Sequence, residues 1–177
     1  MEWLWYFLLY SFLGFLLEVG YALWVGGDPD RKCLLLLPLC PVYGLGACAV
    51  LLLPPFILRS PGLLALVGGA VATGVEYIVS LFYQKVLSVS FWNYEGQLGN
   101  LQGRVCVPFA LAWGGLLLPM VYWLQPMAAQ WVSGIPQWVS WAVFAALSSD
   151  LLVSAVLLRH TGDTHSLRWY RLRSAGR

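Results

Sequence analysis

Charge is what this sequence has least of. Only 10% of its 177 residues are Asp, Glu, Lys or Arg, and the mean hydropathy is +0.73, whereas a soluble domain carries about 25% charged residues. A soluble fold could not clothe its surface with so few, so the chain belongs in a bilayer. Histidine is nearly as scarce, with His160 and His165 alone and both near the C-terminal end. That excludes a Ser-His-Asp or other histidine-based catalytic arrangement inside the apolar part. No GxxxxGK[ST] stretch is present, so the chain cannot cradle and hydrolyse ATP by itself. The four cysteines, Cys33, Cys40, Cys48 and Cys106, contain no CxxC. They read as small apolar side chains rather than metal ligands or disulfide partners. No metal, no cofactor and no nucleic-acid partner is expected.

What is abundant is long apolar runs. The N-terminal "MEWLWYFLLYSFLGFLLEVGYALWV" has an acid where a signal peptide has its basic region, and its run is too long for one. It reads as a retained first span. A helix needs about 20 mostly apolar residues to cross a hydrocarbon core of about 30 Å. Five segments qualify, at about 3–25, 34–58, 62–87, 105–125 and 136–158, followed by a basic tail over 159–177. The fold class is therefore an all-α integral membrane protein, a single bundle of about five transmembrane helices.

Orientation follows from lysine and arginine. With five crossings, one side receives Arg31, Lys32, Lys85, Arg104, Arg159, Arg168, Arg171, Arg173 and Arg177, while the other receives Arg59. The basic side is the cytoplasmic one, which puts the N-terminus outside and the C-terminus in the cytoplasm. The tail "RWYRLRSAGR" reads as the final insertion signal, or as a contact for anionic lipid.

Three carboxylates fall inside the spans. Glu18, Glu76 and Asp150 lie about 10, 16 and 12 Å from the cytoplasmic ends, at a rise of about 1.5 Å per residue. Each belongs to a stripe of small or polar residues: Ser11–Gly14–Glu18, Gly69–Thr73–Glu76–Ser80–Tyr83, and Ala142–Ala146–Asp150–Ser154. Ionisable groups at such depth face a bundle interior or a wet cavity, and small residues let helices approach closely. The three acid-bearing faces are expected to meet. The cation nearest that layer is Arg104, which could pair with one acid to hold the bundle, leaving two for a functional cavity.

Two further stretches stand out. "SFWNYEGQLGNLQGRVC", between spans three and four, concentrates Trp92, Asn93, Tyr94, Asn100, Gln102 and Arg104 among glycines. It is expected to be a polar cytoplasmic or re-entrant loop, which is tolerated at depth when buried in protein or lining water. The plainer alternative is an exposed connector with an aromatic belt. "LLLLPLCPVYGLGA" places Pro38 and Pro41 ahead of Tyr43, Gly44 and Gly46. It reads as an opened helix start in the same half of the membrane, the kind of break with which transporters build sites.

These residues carry a resemblance. "YSFLGFLLEVGY", "LPLCPVYGLGA" and "FWNYEGQLGNLQGRVCVPFALAWGG" resemble a bacterial family of small membrane proteins, Putative ABC-transporter type IV, also described as CmpB-like ABC transporter permeases. The likeness spans about 6–115 and points to Glu18, Pro41, Tyr43, Glu76, Trp92, Tyr94, Asn100, Gly103 and Arg104. Asn93 stands where the family has aspartate, and Gln102 where it has asparagine. The resemblance implies a permease-like transport component of the bacterial cytoplasmic (inner) membrane. Its partners would be the bilayer and a separate ATPase subunit or a second copy of itself. An inner-leaflet enzyme acting on a lipid headgroup or polyprenyl carrier, and a non-catalytic assembly partner, remain as alternatives. The candidate substrate- or ion-binding residues are Glu18, Tyr43, Glu76, Trp92, Tyr94, Asn100, Arg104 and Asp150.

Overall fold

A computed structural model of the chain describes residues 1–26 and 33–167. Arg31, Lys32 and the basic tail beyond 167, which weigh most in the orientation, lie outside the described residues. The protein is an all-α membrane bundle. Four helices are long and apolar enough to cross a bilayer: α1 (Glu2–Trp24), α3 (Pro61–Val86), α4 (Val107–Ser133) and α5 (Gln137–Thr161). A shorter apolar helix, α2 (Pro41–Leu51), packs among them. Large apolar side chains such as Leu66, Leu111 and Leu152 face outward, which only lipid or another apolar partner accommodates.

Proline sets most of the helix starts. Pro41 and Pro61 occupy the first helical position, where the missing N–H is not needed and the fixed φ is already helical. Pro136 is the residue on which α5 begins. Inside α4, Pro119 is followed by a π-turn over Met120–Leu124, an adjustment that absorbs the hydrogen bond a helical proline cannot make. The helix then continues to Ser133. The fourth span is therefore longer than the expected 105–125, and the connection to α5 shrinks to Gly134–Pro136.

The second expected span is the one that departs most from a plain crossing helix. Of the expected 34–58, only the part from Pro41 begins a helix, and residues 33–40 are non-helical yet mostly buried. The Cys40 N–H donates to the Ser11 carbonyl at 2.9 Å. Ser11 stands 13 residues before the end of α1, about 20 Å along the helix, so α2 starts at mid-depth. From there α2 runs back along α1, with Gly44 against Ser11 and the Phe7 carbonyl. Cys48 reaches the Trp3 carbonyl at the far end.

Two of the cysteines correct their expected role. Cys33 and Cys40 form a disulfide across the non-helical segment, their Cα atoms 4.9 Å apart, because the fold-back brings them within bridging range. Cys48 and Cys106 are free.

Candidate functional site

Four elements and one loop converge on a cavity of about 620 Å³ in the half of the bundle where α1 ends. Glu18 projects from α1 and Tyr43 from the first turn of α2. The Tyr43 hydroxyl donates to Glu18 Oε1 at 2.7 Å. The mid-depth start of α2 is what puts that hydroxyl within reach.

Glu76 comes from the middle of α3 and is 3% exposed. Both of its oxygens accept hydrogen bonds: Oε1 from the Tyr94 hydroxyl at 2.9 Å, and Oε2 from the Trp113 indole N–H at 2.8 Å. Donors spread the negative charge of a buried carboxylate without cancelling it. Burial and the adjacent Glu76 carboxylate push the Tyr94 pKa well above its ordinary value, so this hydroxyl remains a donor. The rings close around the acids. Tyr43 lies 4.8 Å from Trp113, and Tyr94 stacks on Phe109 at 4.7 Å. Tyr43 and Trp113 also line a second, almost wholly apolar cavity of about 370 Å³ deeper between α1, α2 and α4.

The loop over 87–106 is built to deliver Tyr94. Its two arms are joined by Tyr94 N–H to the Gly103 carbonyl at 2.8 Å and by the Trp92 indole to the Arg104 carbonyl at 2.9 Å, while Leu101 N–H to the Val105 carbonyl at 2.9 Å closes the turn within the second arm. Trp92 lines the cavity as well. Asn100 works within the loop, its Oδ1 accepting the Gly103 N–H at 2.9 Å. Gly103 itself has φ +69°, and a Cβ there would meet the Asn93 side-chain oxygen that holds the Glu95 N–H. Gly103→Ala is expected to lower stability by about 1–2 kcal/mol, the penalty of a left-handed conformation for an L-residue. It should also accelerate hydrogen exchange at the Tyr94 amide. Unchanged exchange there would show that the turn does not depend on glycine.

Three of the expected site residues do not line the cavity: Asn100, which works within the loop, Arg104 and Asp150. Among the described residues Arg104 pairs with no acid. Its guanidinium donates to the Gln102 side chain at 2.7 Å and to Gln84, and lies 5.6 Å from the Tyr77 ring centre. It clamps the loop to the last turns of α3 and does not line the cavity. Asp150 is also absent from the lining. Its carboxylate accepts the backbone N–H groups of Leu36 and Leu37 at 3.0 and 2.9 Å and the Ser154 hydroxyl at 3.0 Å. The non-helical segment draws it away, because freed backbone donors at depth demand an acceptor. Glu18 of α1 and Glu76 of α3 line one cavity, whereas Asp150 of α5 serves the 33–40 segment.

The sequence reading missed Trp113, Phe109 and Tyr21. Phe109 and Trp113 are one helical turn apart on α4 and so share a face. A buried indole N–H in an apolar helix needs an acceptor, and this was the signal available.

The chain belongs to the family described as Putative ABC-transporter type IV, whose model matches residues 5–157. The match runs from the first turn of α1 into the last turns of α5, well beyond the 6–115 that carry the motifs. No curated protein and no solved structure matches the chain.

Proposed function

We propose that this member of the ABC-transporter type IV family is the permease-like membrane component of a transport system in a bacterial cytoplasmic membrane, and that its solute occupies the cavity between Glu18 and Glu76. The carrying observation is Glu76: a carboxylate 3% exposed in the middle of an apolar helix, facing a cavity of solute size with a second acid across it. Ionisable groups at that depth are expensive to keep and mark solute or ion pathways. The volume falls in the range of about 300–1,000 Å³ typical of small-molecule sites. An inner-leaflet enzyme working on phosphate would want its arginine in the cavity, and Arg104 is engaged outside it. With no phosphate-binding loop in this chain, ATP turnover falls to a separate subunit docking on the loops of the basic side.

Purification of the tagged chain from native membranes in a mild detergent tests the proposal. A stoichiometric ATPase is expected to accompany it. Glu76→Gln should change the ATP turnover of the complex by about fivefold or more, the scale of a coupled site. A homo-oligomer without an ATPase, or turnover indifferent to the substitution, would overturn the reading.

A further inference from the structure

We propose that the cavity between Glu18 and Glu76 is a binding site for an organic ammonium ion. The inference rests on the reading of this cavity as the solute site and adds the chemistry of the solute.

The sign of the ligand follows from the walls. Among the described residues two carboxylates line the cavity and no Lys or Arg does. Tyr43, Tyr94 and Trp113 lend hydrogen bonds to those carboxylates but no positive charge. An anion would meet two acids with no cation beside them, and a neutral apolar molecule would displace water from both carboxyl groups and return no hydrogen bond. A cation supplies the missing counter-charge.

The kind of cation follows from the rest of the lining. Hard metal ions take oxygen or nitrogen ligands from several side chains at once. Among the described residues no group of three or more His, Cys, Asp or Glu could hold one. Seven of the sixteen lining residues are instead aromatic, with Trp113 against Tyr43 and Tyr94 stacked on Phe109. Ring faces attract alkylammonium groups, whose charge is spread over carbon and only weakly hydrated. Carboxylates with their lone pairs partly committed, set among aromatic faces, suit a diffuse cation better than a compact one. The room of about 620 Å³ fits an ion of that size with its substituents.

The test uses the full chain in a mild detergent, titrated with choline and with 3,3-dimethyl-1-butanol, its uncharged carbon isostere. Tryptophan fluorescence gives the readout, since Trp92 and Trp113 line the cavity. Choline is expected to bind saturably, and the isostere at least about tenfold more weakly. Glu18→Gln and Glu76→Gln should each weaken choline by about tenfold or more. Tyr43→Phe, which keeps the ring and loses only the hydroxyl, should weaken it less. Glu18 is only half-buried, so Glu18→Gln remains informative if Glu76→Gln fails to fold. Equal binding of the isostere, no saturable binding of choline, or full affinity in a folded Glu18→Gln protein would overturn the inference. An ATPase that co-purifies while choline fails to bind would leave the transport reading standing and remove this one. Choline binding without an ATPase would do the reverse.

Discussion

Asp150→Ala is expected to release the non-helical start of α2 and to cost on the order of 3 kcal/mol. Its two oxygens take the backbone N–H groups of Leu36 and Leu37, and hydrogen bonds to a charged acceptor contribute about 1.5–3 kcal/mol each. Leu36 is half-buried and Leu37 exposed, but inside a bilayer there is no water to take over from the lost acceptor. The effect should reach the cavity, because Cys40 and Tyr43 follow directly and both line it. Thermal unfolding in detergent should show the loss, and hydrogen exchange at the Leu36 and Leu37 amides should rise at least tenfold. Asp150→Asn keeps one acceptor oxygen and should fall between the two. Wild-type exchange at both amides in the alanine variant would mean that the carboxylate does not hold the segment.

Asp150 also shows where a sequence stops being legible. Glu18, Glu76 and Asp150 carry the same signal, an acid on a stripe of small residues at similar depth. Composition and periodicity give the helices, and an acid in an apolar helix marks a polar partner. Which partner depends on where backbone donors are exposed, and that is a tertiary fact. The pair of prolines at 38 and 41 announces a break in α2, but not that the helix would begin only after the non-helical 33–40 segment, at the level of Ser11. Without that level, the reach of Tyr43 to Glu18 and of Asp150 to Leu36 could not be read. Arg104 went astray for the same reason. Its preference for carboxylates is a property of guanidinium, while Gln84 reaches it only because the loop folds back along α3, beside the local contact to Gln102. The Cys33–Cys40 bridge likewise needs the fold-back, since neither spacing nor composition distinguishes it from four buried thiols.

Gly114→Val should have the other large effect, and its neighbour provides the control. A Cβ on Gly114 would lie 2.6 Å from the Ala65 carbonyl oxygen, and the Gly69 position approaches the Gly114 Cα from the other side. The obstacle is backbone in both cases, so no side chain can rotate away. Overpacking of this kind costs about 1–3 kcal/mol when neighbours can shift. Here α3 and α4 themselves must separate, which puts the expected loss at the upper end or beyond. Valine at Gly115, where nothing lies within 4 Å, should leave stability within about 0.5 kcal/mol of the parent, as for an ordinary surface change. The same crossing fixes the residue before it. Trp113 reaches Glu76 across the α3–α4 contact, so a protein that tolerates Gly114→Val should do so with its indole drawn off the carboxylate. Thermal unfolding of the two valine variants reads the first effect, and a red-shifted tryptophan emission in Gly114→Val alone reads the second. If both variants unfold together, close backbone approach is not what positions Trp113, and the geometry around Glu76 must be held by the loop through Tyr94 instead.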